Sequence, residues 1–271
     1  MPARTFSMAL LLLCASCATS PTPSPPATEP ERELDLGILW VRDAAEWRAL
    51  ALQAYTSATK DLPNMLAEPS WSAIPGQEAA GGLPPAVILD VDETVVSNVE
   101  FQVELEPPFA DSKLNAWNAA NRATAVPGAA DFVQFAVEMG VRVFFVTNRP
   151  CEAEPGADDP CPQKAVTLED LNEAGIPAIA ANVMLAGEYP EWTQEKLTRR
   201  ALIAESYRVI MLVGDDLGDF LPCVRSRIHA PCIKAATKAS REELVQRHAA
   251  WWGNGWYVLP NPMYGSWTSA R

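Results

Sequence analysis

Histidine is nearly missing from this chain: His229 and His248 are the only two in 271 residues. That leaves little material for a histidine nucleophile or for a metal centre built on several imidazoles, and both histidines read as structural. No GxSxG elbow occurs, so the serine-hydrolase arrangement that depends on it is excluded. Positive charge is also short, with 21 Lys and Arg against 34 Asp and Glu and a net charge of -13. Such a balance repels nucleic acid polymers, and only the short pair Arg199 and Arg200 stands out as basic. The apolar stretch 8–14 is too short to span a bilayer, and no internal repeat is found.

What is present begins with an export layout. Arg4 precedes that apolar stretch, small residues follow it, and LLLCASC resembles a bacterial lipobox ending at Cys17. An ordinary cleavable signal ending near residues 15–18 is the alternative. Residues 19–30 are rich in proline, serine and threonine and cannot pack a core, so residues 18–37 read as a tether. The expectation is an exported protein of the bacterial cell envelope, lipid-anchored through residues 1–17. With Cys14 removed and Cys17 lipidated, four cysteines remain, and Cys151 with Cys161 and Cys223 with Cys232 is the simplest of three pairings in an oxidising compartment. A metal cluster of these cysteines is the weaker reading, because neither pair has zinc-type spacing.

The chemistry is concentrated in AVILDVDETVVSN. Residues 86–89 read as a buried strand of a parallel sheet, which puts Asp90 and Asp92 at its carboxyl end, where open α/β sheets bind ligands. At alternating strand positions the two carboxylates point the same way, and two like charges so close require a cation or a shared proton. VFFVTNR brings Thr147 and Asn148 to the end of a second apolar strand, WTQEKLTRR offers Lys196, and VIMLVGDDLGDF ends a third strand on Asp215, Asp216 and Asp219. These groups suit one division of labour. Asp90 can attack phosphorus, and Asp92 can protonate the leaving oxygen and then activate water. Asp215 completes a hard oxygen site suited to Mg²⁺ with Asp90 and the backbone carbonyl of Asp92, and Asp219 stands behind it. Thr147, Asn148 and Lys196 neutralise phosphoryl oxygens.

With DVDET, Thr147, Lys196 and GDDLGD in that order, the chain resembles a phosphatase of the haloacid dehalogenase superfamily. GDDLGDF, EKLTRR and the ending LPNPMYGSW look like the class C acid phosphatases, the lipoprotein e family, over residues 39–267. The resemblance implies an Mg²⁺-dependent phosphomonoesterase working through a phospho-aspartate, exported or lipid-anchored, on small monoesters such as nucleoside monophosphates. Residues 151–161 read as an insertion beside the substrate entrance.

Around these motifs the chain alternates strand and helix. The fold expected is α/β, a Rossmann-like haloacid dehalogenase core with a parallel sheet flanked by helices and a small, mainly helical cap. The phosphatase domain spans 38–271, its core 83–235 and its lid 99–122. Asp43 with Glu46 makes a capping signal, and Trp47, Leu50, Ala51, Ala54, Tyr55 and Ala58 form a helical stripe. Residues 62–85, rich in proline and glycine, read as a crossing loop. Pro127 opens a helix carrying Phe132, Phe135 and Met139, and Thr167 with Asp170 caps another. Trp251, Trp252, Trp256 and Tyr257 are core or interface candidates. Phe109, Trp117 and Tyr264 are candidates for stacking a nucleobase, with packing as the alternative for each. Two other functions stay open here: phosphotransfer to an alcohol, and a surface lipoprotein that binds a ligand without catalysis. Oligomeric state is not legible.

Overall fold

The computed structural model describes residues 35–270 apart from 78, 79, 154, 155 and 157. The export signal, Cys17 and nearly all of the proposed tether lie outside the described residues. Residues 36 and 37, expected in the tether, belong to a helix.

Five strands form one parallel sheet in the order β5-β4-β1-β6-β7. They are β1 (Pro85–Leu89), β4 (Arg142–Pro150), β5 (Val183–Ala186), β6 (Arg208–Gly214) and β7 (Trp256–Val258). Both faces are covered, which is why β1 and β6 read as unbroken apolar runs rather than alternations. Val87 and Leu89 enter one core with Val143, Phe145 and Met211, while Ala86 and Ile88 enter the other with Phe144, Val146 and Leu212. The register shifts between β1 and β6 at Ala86 and Val87, and Ile210 is the extra residue, its carbonyl accepting from the Trp71 indole at 2.9 Å.

The helices follow from the same burial. Along α2 (Ala45–Ala67), Trp47, Ala51, Tyr55, Ala58, Leu62 and Met65 are buried at helical spacing, while Leu50 is exposed. α1 (Leu36–Asp43) precedes it, capped by Asp35; Asp43 ends α1 and pairs with Arg42 instead of capping α2. Residues 62–67 are helix and not loop. α2 runs through Pro63, and past its last turn the Arg208 guanidinium donates to the carbonyls of Met65, Leu66, Glu68 and Trp71 at 2.8–3.1 Å, satisfying the helix end and the following turn from a distant strand. α5 (Ala129–Glu138) and α6 (Pro162–Glu173) complete that layer, and α7 (Leu197–Ser206) with α8 (Lys238–Arg247) follows the other face. Pro127 lies just ahead of α5, whose Phe132 is buried and whose following Met139 is exposed. Thr167 and Asp170 sit inside α6 and do not cap it; both are buried.

The lid expected at 99–122 comprises α3 (Val99–Glu104) and α4 (Asp111–Ala119) beside an antiparallel ribbon of β2 (Val96–Ser97) and β3 (Thr124–Ala125). The core extends past residue 235, because β7 hydrogen-bonds to β6 and buries Trp256 and Tyr257; Trp251 and Trp252 pack half-buried beside them. Disulfides join Cys151 to Cys161 and Cys223 to Cys232. Arg199 and Arg200 are buried, so they form no basic surface. Among the described residues no helix is long and apolar enough to cross a membrane.

Candidate active site

The carboxyl ends of β1, β4 and β6, the start of α7 and the lid enclose a cavity of about 430 Å³. Asp90, Asp92, Asn148, Lys196, Asp215, Asp216, Asp219 and Tyr264 line it, and Phe101, Leu105, Phe109 and Leu114 form its lid wall. The chain can deliver Asp90 and Asp92 together because Glu93 adopts φ +60° directly after them, turning the backbone back on itself. Glu93 is held there by the amide of Asn98 at 2.9 Å and by the Tyr264 hydroxyl at 3.1 Å, and burial pushes its carboxyl up to about 7.

Lys196 is buried and its ammonium contacts both Asp90 and Asp219, the latter at 2.6 Å. Burial would lower it, but Asp219 and Asp90 hold it raised and charged. For Asp90, burial outweighs Lys196 and, with the Asp219 and Asp92 charges, pushes the carboxyl up to about 6. Asp215 is raised well above the usual range by burial and by the Asp90 and Asp219 charges. It accepts from Thr94 Oγ1 at 3.1 Å and from Asn261 Nδ2 at 2.8 Å.

Carboxylate oxygens of Asp90, Asp215 and Asp219 lie within 4.8 Å of one another. One ammonium cannot neutralise three clustered carboxylates, of which Asp90 and Asp219 are buried and Asp215 half-buried, and two of the three are pushed upward, so this donor set fits a hard divalent cation. The Asp92 carboxylate stands apart from the cluster. It is bound by Arg149 at 2.8 and 3.1 Å and by Asn98 Nδ2 at 2.7 Å; burial would raise it, but these partners hold it below the usual range. Any role of Asp92 in metal binding therefore falls to its backbone carbonyl.

The start of α7 ties the motif loops together. Lys196 reaches the β1 aspartate, Arg199 donates to the Thr147 carbonyl and to Asn148 Oδ1, and Arg200 donates to the carbonyls of Gly218 and Asp219 at 2.8 Å. Gly214 is required because a β-carbon there would overlap the Asp219 side chain. Thr147 is buried behind the cavity wall, its hydroxyl accepting from the Arg149 amide at 3.0 Å and reaching Asp92 at 3.4 Å. Asn148 lines the cavity, where its amide donates to the Gln194 carbonyl at 3.1 Å.

The aromatic candidates separate. Phe109 is 52% exposed on the lid wall, and Tyr264 lines the cavity. Trp117 is a correction: it is buried against Phe101, donates to Asn98 Oδ1 at 3.1 Å and does not line the cavity. Sequence reading missed Arg149, Asn98, Asn261 and Asp170. Arg149 directly follows Thr147 and Asn148, Asn98 ends AVILDVDETVVSN and Asn261 lies in LPNPMYGSW, so these three carried a signal; Asp170 was legible only as a helix residue.

Comparison with known proteins gives the family and the fold. The family model of HAD superfamily subfamily IIIB (acid phosphatase) matches residues 42–267. The chain is similar to the class C acid phosphatase from Bacillus anthracis, at 26% identity and a TM-score of 0.65, covering 85% of this chain and 84% of that one. The crystal structure of that enzyme with tungstate bound matches equally well, again at 26% identity and a TM-score of 0.65 over the same shares of the two chains. The family match covers nearly all of the described residues and the parallel-sheet α/β core agrees with it, so the chain belongs to subfamily IIIB of the HAD superfamily, the acid phosphatases, as a phosphomonoesterase.

Proposed function

We propose that the protein is an exported, Mg²⁺-dependent acid phosphatase that hydrolyses small phosphate monoesters through a phospho-Asp90 intermediate. The observation that supports this reading is Lys196 held between Asp90 and Asp219 beside Asp215, an arrangement suited to a nucleophile, a fixed cation and a divalent cation side by side. A bound Mg²⁺ would be held by Asp90, Asp215 and the Asp92 backbone carbonyl and would neutralise charge on the phosphoryl group.

In the first step an Asp90 carboxylate oxygen bonds to phosphorus while the ester oxygen departs, taking a proton from Asp92. In the second, Asp92 removes a proton from water, whose oxygen bonds to phosphorus as the bond to Asp90 breaks and phosphate leaves. Lys196 keeps Asp90 oriented and offsets the charge that develops. Asn148 offers its side chain at the cavity wall. Exposed Phe109, with Phe101, Leu105 and Leu114, supplies an apolar wall for the leaving group, which supports monoesters of aromatic or nucleoside alcohols.

The amino-terminal segment supports export and lipidation at Cys17, with a tether separating membrane from enzyme. A phosphate-release screen over monoesters, with and without Mg²⁺ and with an added alcohol acceptor, tests substrate, metal and hydrolysis together. Release that is indifferent to chelation in metal-free enzyme would reject the Mg²⁺ reading, and a phosphorylated acceptor as main product would make the protein a phosphotransferase.

A further inference from the structure

Asp92 is the best-anchored acid in the cavity, and its anchors come from both sides of it. On the core side, Arg149 at the end of β4 grips it through Nε at 3.1 Å to each oxygen and through Nη2 at 2.8 Å to Oδ1. Arg149 is in turn ion-paired at 2.7 Å with Asp170, which projects from the middle of α6; their side chains are 1% and 0% exposed. A buried carboxylate that makes no contact with the cavity has no evident use except to hold that guanidinium. On the lid side, Asn98 Nδ2 donates to Asp92 Oδ1 at 2.7 Å, and Trp117 of α4 donates its indole N–H to Asn98 Oδ1 at 3.1 Å. An indole nitrogen can only donate, so Trp117 obliges Asn98 to present its oxygen to the lid and its NH₂ to Asp92.

The sum of these contacts is unequal for the two oxygens. Oδ1 accepts from Asn98 at 2.7 Å and from Arg149 at 2.8 and 3.1 Å, whereas Oδ2 has only Arg149 Nε at 3.1 Å and a long 3.4 Å contact from Thr147. Arg149 and Asn98 favour the Asp92 anion in the free site, so the proton that Asp92 passes on in turnover sits on Oδ2, the oxygen they leave less saturated.

We propose that Trp117 and Asp170 are positioning residues for Asp92: a chain Trp117, Asn98, Asp92, Arg149, Asp170 runs from lid to core and fixes the orientation of the Asp92 carboxylate at the cavity wall. The proposal rests on the general-acid role given to Asp92 above. It makes the lid more than a substrate wall, since α4 sets the orientation of the proton donor.

The test compares kcat/KM for an alkyl phosphate and for 4-nitrophenyl phosphate in Mg²⁺-loaded wild type, Asp92→Asn, Trp117→Phe and Asp170→Asn. kcat/KM reports the step that expels the alcohol, and an alkoxide needs protonation far more than a nitrophenolate does. Asp92→Asn should lose about 10²–10⁴-fold more on the alkyl ester than it loses on the nitrophenyl ester. Trp117→Phe and Asp170→Asn should each show the same bias at about tenfold or more, since misplacing a catalytic group by about 1 Å costs up to ~10²-fold. Phenylalanine keeps the ring packing, and asparagine keeps the shape of Asp170; if Asp170→Asn does not fold, Arg149→Lys reads the same arm. Equal losses on both esters in the positioning variants, with Asp92→Asn still biased, would overturn the proposal alone. An unbiased Asp92→Asn would overturn the general-acid role beneath it.

Discussion

The Asn261 amide donates to Asp215 Oδ2 at 2.8 Å, joining the C-terminal segment to the acidic cluster across the site. Two more contacts fasten the same segment: Tyr264 to Glu93 at 3.1 Å, and Ser266 to Asp216 through its amide at 2.6 Å and its hydroxyl at 2.8 Å. Asp215 is therefore oriented from behind as well as by Thr94. Asn261→Ala should weaken Mg²⁺ binding by about 10–100-fold, the range found when a partner of a metal ligand is removed. Calorimetric titration of the folded variant measures this; unchanged affinity would show that Asp215 needs no such support.

Most of the site was legible because it sits on strand ends that apolar runs announce. Asp90, Lys196, Asp215 and Asp219 come together, Asp92 lines the same cavity with its carboxylate apart from them, and both short-loop disulfides form. What failed was long-range. Residues 62–67 looked like loop because Pro63 opens a proline- and glycine-rich stretch that runs to 85, yet Arg208, some 140 residues away, caps the helix that runs there. Asp170 looked like a helix cap, yet a charge at position 149 drew it into the core. β7 was missed because its three residues form a strand only against β6.

The raised carboxyls predict how acidity affects the metal-free enzyme. Asp90 lies at about 6 in the folded protein against an ordinary 3.8, and Asp215 is raised too. Between those limits the folded state holds protons that the unfolded state releases, so stability falls as pH rises from 3.8 through about 6. A bound Mg²⁺ would replace those protons. The rise in Tm on adding Mg²⁺ should thus be larger above pH 6 than below it, and a metal shift independent of pH would contradict the assignment of these groups.

Phe109 and Trp117 should behave oppositely on truncation. Phe109→Ala removes an exposed side chain, so Tm should hold while KM for a nucleoside monophosphate rises about tenfold or more relative to an alkyl phosphate, as expected for one lost stacking contact. Trp117→Ala empties a buried position and should cost about 3–5 kcal/mol of stability. Equal KM changes for both esters in Phe109→Ala would remove stacking from the account.

Lipidation at Cys17 predicts that Cys17→Ala moves the protein from the membrane fraction to the soluble envelope fraction with kcat/KM unchanged, because the segment between anchor and enzyme is long and polar. A wild-type protein that takes up no fatty-acid label would leave export standing and reject the anchor.

The account stands on covalent chemistry at Asp90. Acid quenching during turnover of a phosphate monoester in the presence of Mg²⁺, followed by peptide mass analysis, reads it directly. A phosphoryl adduct on the peptide carrying Asp90, missing from an inactive but folded Asp90→Asn, is the predicted result. Turnover by Asp90→Asn at the wild-type rate, or an adduct on another residue, would contradict it.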